Sequence, residues 1–195
     1  MRMTSWIAAL TAILWLTGCA SSSPPADRYT LPAGDLASGT AGIDAEHLLL
    51  IRPPQLARFL DVEGIVYQLD DITLIEAREH RWADPLGDQL GRGLRDRLAA
   101  RLADTRVDLA GSDRRDPAAY RLHVEIDRFQ GRADGLALAA GRWQLRDGDG
   151  ELLALEDFSV AHELEADGYP ALIRALGRSW DRVASEIAAE IKRLR

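Results

Sequence analysis

The stretch Tyr120-Arg121-Leu122-His123-Val124-Glu125-Ile126-Asp127 alternates apolar and polar side chains without a break. Successive side chains of a strand point to opposite faces. The pattern therefore predicts a strand with Tyr120, Leu122, Val124 and Ile126 on a dry face and Arg121, His123, Glu125 and Asp127 in water. Phe129 falls out of phase, which predicts a bulge or a strand end there. Downstream, Leu136 to Leu145 repeats a strand pattern with a phase break near Gly141. Asp147-Gly148-Asp149-Gly150 supplies a turn, and Leu152 to Leu164 returns with Phe158, Val160 and Leu164 on one face. Upstream, Leu48-Leu49-Leu50-Ile51 reads as a buried strand stopped by Pro53-Pro54. Gly64 to Leu69 and Ile72 to Ala77 read as two strands joined at Asp70-Asp71.

Two segments carry the helical period instead. Leu86, Leu90, Leu94, Leu98 and Leu102 recur every fourth residue after Asp84-Pro85, where Asp84 is expected to cap the free amides and Pro85 to fit the first turn. Gly87, Gly91 and Gly93 weaken this helix, reflecting either close packing or an unconstrained exposed face. Near the C-terminus, Leu172, Leu176, Trp180, Val183, Ile187, Ile191 and Leu194 form one apolar stripe, with Arg178, Arg182, Glu186 and Glu190 opposite. A sheet with one wet face and two helices with one apolar stripe each are buried most simply together. The expected fold is α+β: a two-layer sandwich with a largely antiparallel sheet of about six strands. Its two long helices, roughly 84–103 and 170–194, would lie on one face.

The N-terminus carries a different message. Arg2 and the mostly apolar run Trp6 to Leu16 have the charge and length of a secretory signal, too short to remain as a membrane span. Leu16-Thr17-Gly18-Cys19 closes it as a lipobox. Cleavage is expected between Gly18 and Cys19, with lipidation at Cys19, the only cysteine in the chain. Several acyl chains on one residue anchor almost irreversibly, because each buried methylene contributes about 0.8 kcal/mol. Residues 19–45, rich in Ala, Ser, Gly, Pro, Thr and Asp, read as a lipidated flexible tether of roughly 25–30 Å reach. Within it, Tyr29-Thr30-Leu31 is a β-prone island able to dock on the body. The expected organisation is a signal peptide at 1–18, this tether, and a single periplasmic α+β domain at 46–195.

The 195 residues carry a formal net charge of −7, with Lys192 the only lysine. An acidic domain without a basic run argues against nucleic-acid binding, since phosphate contacts need clustered positive charge. His47, His80, His123 and His162 are too far apart in sequence for a metal-ligand motif. Gly177-Arg178-Ser179-Trp180-Asp181 misses the final glycine of a nucleophile elbow and falls inside a helical pattern. Asp147, Asp149 and Glu151 suggest a calcium loop only superficially, because Leu152 stands where that loop needs glycine. No catalytic residue, metal site or cofactor is expected.

Several segments in fixed order carry a resemblance: the lipobox, Tyr29-Thr30-Leu31-Pro32, Gly64-Ile65-Val66-Tyr67-Gln68 and Trp82-Ala83-Asp84-Pro85-Leu86. They continue with Phe129-Gln130-Gly131-Arg132, Asp134-Gly135, Asp167-Gly168-Tyr169, Trp180 and Glu190-Ile191-Lys192-Arg193-Leu194. In this the chain resembles the PqiC family, the auxiliary lipoproteins of MCE-type ABC transport systems. The resemblance implies a non-enzymatic outer-membrane lipoprotein facing the periplasm and docked to a periplasm-spanning MCE partner. It also implies intermembrane lipid transport and self-association, with a ring as one form. The alternative is a lipid-anchored periplasmic binding module or assembly chaperone with no transporter.

Overall fold

A computed structural model describes residues 25–34, 45–111 and 118–194. The element that organises them is the strand identified by its alternation, β7 (Tyr120–Arg132), which runs beyond the alternating stretch to 13 residues. Its dry face carries Leu122, Val124 and Ile126, each at most 1% exposed. On one edge it pairs antiparallel with β8 (Leu136–Arg146), which pairs antiparallel with β9 (Leu152–Glu163). The expected phase break is a bulge: the register shifts between Ile126 and Arg128. Gly141 faces it, and a Cβ there would fall 2.0 Å from the Glu125 carbonyl oxygen.

The other edge of β7 is lined by a single stretch of chain in three parallel pieces. These are β2 (His47–Ile51), β3 (Gln55–Leu56) and β4 (Gly64–Gln68). Leu49 lies opposite Tyr120, Gln55 opposite Glu125 and Tyr67 opposite Gly131. The ladder bridges the gaps: the Arg52 amide donates to the Leu122 carbonyl and the Ala57 amide to the Ile126 carbonyl. Pro53 and Pro54 occupy the break, where no ladder amide is required. A short 3₁₀ turn, Arg58–Leu60, follows. Outward from β2 lies β6 (Thr105–Leu109), and outward from β4 lie β5 (Leu74–Trp82) and β1 (Asp27–Tyr29), so the sheet forks.

The α+β class and the pair of long helices stand as expected. The sheet differs from expectation in having nine strands among the described residues, and it is mixed rather than largely antiparallel. The pairs β1–β5, β2–β6, β2–β7, β3–β7 and β4–β7 are all parallel. β1, β3 and β6 are too short to declare themselves by period. Strand direction is set by the crossover through the first helix, which no local pattern encodes.

That helix, α1 (Leu86–Arg101), buries Leu86, Leu90, Leu94 and Leu98, with Leu102 following it into the core. The expected Asp84 cap is absent. Pro85 directly precedes the first helical residue, and the Asp84 carboxylate turns aside to pair with Arg92. Two of the helix glycines serve close packing: a Cβ on Gly91 would lie 3.2 Å from Pro54, and one on Gly93 would press on Arg97, whereas one on Gly87 would meet nothing nearer than 3.8 Å. The second helix, α2 (Tyr169–Arg193), lies on β7, β8 and β9 and packs against α1. Its stripe is buried from Leu172 to Ile191, while Leu194 emerges at 37% exposure.

Trp180 sits at the centre, with no exposed surface. Its ring meets Phe129 and Phe158 edge-on, and its indole N–H donates to the Leu90 carbonyl of the neighbouring helix. Trp180→Ala is expected to cost about 3–5 kcal/mol of stability, because a large cavity opens beneath both helices. Arg182→Ala, which removes only an exposed pair with Glu186, should stay within about 0.5 kcal/mol of the parent. Urea-unfolding midpoints of the two variants check both expectations.

Candidate functional site

None of the histidines joins a catalytic or metal-binding group. His47 lies against Tyr120, His123 is near Glu125 and His80 stacks on Tyr169. Ser179 comes within 3.0 Å of His162 Nδ1 but is fully buried. Its hydroxyl donates to the Ala175 carbonyl, so it accepts from His162 and is not activated by it. Asp147 Oδ1 accepts the amides of Asp149 and Glu151, which closes the hairpin turn with the carboxylate facing inward. Among the described residues there is no group of three His, Cys, Asp or Glu fit to hold a metal ion, and no helix long and apolar enough to cross a membrane. Gly18 and Cys19, the expected cleavage and lipidation positions, lie outside the described residues.

Unusual surface chemistry gathers at one end of the sandwich. The β4–β5 hairpin, the β7–β8 turn and the loop leading into α2 all reach this end. The hairpin exposes Leu69, Leu74 and Ile75, and at its tip Ile72 is 86% exposed. The tip is held in shape by Asp70, whose Oδ1 accepts the amides of Ile72 and Thr73. Those amide bonds lower the Asp70 pKa. The brace is therefore complete above the ordinary carboxylate range and is lost as pH falls through the depressed value.

Beneath the hairpin lies an open cleft of about 540 Å³, lined by Tyr67, Leu69, Ile75, Leu164, Tyr169 and Leu172 among others. Burial pushes the Tyr169 phenol up, with a smaller contribution from Tyr67. On the opposite flank a second cleft of about 470 Å³ sets Phe59, Ile72 and Leu74 beside Arg128 and Arg132. Neither cleft brings a nucleophile to a base. Both offer apolar surface bordered by charge, which is chemistry for binding. Its trace in the sequence is Leu69-Asp70-Asp71-Ile72, where large aliphatic residues flank a turn.

The second feature is a strap formed by the N-terminal segment. β1 adds to the outer edge of β5, and the chain then crosses the seam between the helices. The Leu31 amide donates to Gln89 Oε1 at 2.8 Å. Arg97, 1% exposed, donates to Asp181 Oδ1 at 2.6 Å, to the Pro32 carbonyl at 2.8 Å and to the Gly93 carbonyl at 3.1 Å. One guanidinium thus joins both helices to the strap. Pro32 lies so close to α2 that a Cβ on Gly177 would stand 3.0 Å from its ring. Residues 27–34 are therefore docked on the body, which corrects the reading of 19–45 as one flexible tether. The Tyr29 island behaves as the sequence suggested. Arg97 stands outside the apolar pattern of the sequence, although its position seven residues after Leu90 places it on the buried face of α1.

Arg97→Ala should lower stability by about 2–3 kcal/mol, because Asp181 and the Pro32 carbonyl lose a charged donor. Arg97→Lys should recover only part of this, since an ammonium cannot reproduce the planar fork. Amide exchange at Leu31, read alongside global unfolding, should accelerate in both variants.

The model of the ABC-type transport auxiliary lipoprotein component matches residues 29–188. The chain is 31% identical over 192 residues to the intermembrane transport lipoprotein PqiC of Escherichia coli K12, covering 98% of this chain and 100% of that one. The Shigella flexneri protein of the same name matches equally. Among solved structures, an uncharacterized protein shares the fold with a TM-score of 0.72 at 28% identity, over 86% of this chain and 99% of its own. A Xanthomonas campestris protein does so with a TM-score of 0.64 at 19% identity, over 87% and 96%. With the match spanning the strap, the forked sheet and nearly all of α2, the chain belongs to the family of ABC-type transport auxiliary lipoproteins.

Proposed function

We propose that the protein is an outer-membrane lipoprotein, cleaved before Cys19 and acylated there, which serves an intermembrane lipid transport system of the MCE type. It faces the periplasm and holds the end of a periplasm-spanning MCE partner. It acts by binding, alone or as a ring of copies, and catalyses no reaction. The observation that carries this reading is the end-to-end similarity to a lipoprotein named for intermembrane transport. Ala20 follows Cys19 where an Asp would favour retention at the inner membrane, which supports the outer-membrane assignment.

An anchor of this kind restricts the domain and its partner to one thin layer and raises their effective concentration without any new contact. Cys19→Ser should leave an uncleaved, unacylated precursor whose body folds normally, as read by mass spectrometry and thermal unfolding. Ala20→Asp should move the protein toward the inner membrane on density-gradient fractionation. Cross-linking in native envelopes, followed by purification of the lipidated protein, should recover an MCE partner. Recovery of none, together with a reproducible hydrolase activity of the purified protein, would overturn the proposal.

A further inference from the structure

The strap fixes the direction from which the anchor arrives. β1 runs parallel to β5, with Asp27 opposite His80 and Tyr29 opposite Trp82. Moving backwards from Asp27 therefore follows β5 toward its start at Leu74, the hairpin end. Cys19 precedes Asp27 by eight residues, and Ile72 precedes His80 by eight. A chain of that length spans at most about 26–29 Å when fully extended. Acyl chains on Cys19, as proposed, lie within this distance of Asp27, and β1 enters the domain from the hairpin side, where the exposed aliphatic residues stand.

We infer that the β4–β5 hairpin is the membrane-contacting end of the domain, with Ile72 and its neighbours Leu69 and Leu74 resting in the phospholipid interface beside the anchor. This rests on the acylation of Cys19 in the proposed function and adds an orientation to it. The chemistry of the tip suits an interface and not the hydrocarbon interior. Ile72 is the most exposed of these aliphatic residues, and the charges of Asp70 and Asp71 just before it suit headgroup depth. Arg128, in the cleft below Ile72 and Leu74, presents a guanidinium group at the level of lipid phosphates, while Arg132 beside it is paired with Asp134, and Asp71 and Asp127 also line the cleft. The cleft on the other flank, lined by Tyr67, Tyr169 and Leu172, also borders the hairpin through Leu69 and Ile75.

The test uses the full chain. Ile72→Cys and, as a distant reference on β9, Leu155→Cys are each purified in acylated form. Each is labelled with an environment-sensitive fluorophore and reconstituted into phosphatidylethanolamine–phosphatidylglycerol vesicles. Cys19, the other cysteine, is blocked by its thioether, and mass spectrometry verifies the acyl mass. At position 72 the emission should shift to the blue, be quenched by lipids spin-labelled near the headgroup and lose quenching by aqueous iodide. At position 155 iodide quenching should persist. Equal iodide quenching at the two positions would overturn the inference. So would a label at 72 shielded from iodide and spin-labelled lipid alike, which would indicate a protein surface or a second copy over the hairpin. An unmodified Cys19 would sink the anchor reading separately. The label on a Cys19→Ser, Ile72→Cys chain mixed with the same vesicles would then decide hairpin contact by the same quenching criteria.

Discussion

Every hydrogen-bonded ladder in this domain leads back to β7. β9 reaches it through β8, β6 through β2, and β1 through β5 and β4, while β3 pairs with it directly. A central strand with both edges filled cannot slip by one residue without turning its whole dry face into water. The bulge before Arg128 and the glycine facing it then bring Phe129 back to the dry side, where it meets Trp180. The core is built on this constraint. Leu122, Val124 and Ile126 present the surface, α2 covers it, and α1 fills the seam between α2 and β6.

What was legible in the sequence follows from the range of each interaction. Residues 120–127, the 147–150 turn and the stripe of α2 are patterns within one element, and local periodicity reports them. The parallel pairing of 47–68 with β7 joins segments some seventy residues apart through a crossover. Its direction has no local signature. β3 is only two residues long, and β6 has only Val107 and Leu109 as apolar residues among its five. At the site, the same limits applied. Ile72 beside two aspartates reads as a turn until the fold shows it exposed among the described residues. Arg97 reads as one arginine among many until its three acceptors come together from the strap and both helices.

The strap changes the physical meaning of the lipidated N-terminus. A tether ending at residue 45 would let the domain reorient freely. Docking of residues 27–34 leaves seven residues between Cys19 and the first strand, so an anchor at Cys19, as proposed, would hold the body to its membrane at one edge. Orientation then becomes a property of the fold, in the register of β1 on β5, the buried fork of Arg97 and the stacking of His80 on Tyr169. A partner meeting such a domain finds the same face presented each time, which lowers the ordering it must impose on binding.

The strap also sets an order of events in synthesis. In a chain that emerges N-terminus first, Pro32 appears long before the residues that receive it. Its carbonyl waits for Arg97, and its ring for Gly177 in the last helix. Until α2 docks and completes the core, the strap lacks the seat that Gly177 and the Arg97–Asp181 pair provide. A truncation or mutation that prevents docking of α2 would thus be felt at the opposite terminus, as a domain that stays far from its membrane and faces no particular way.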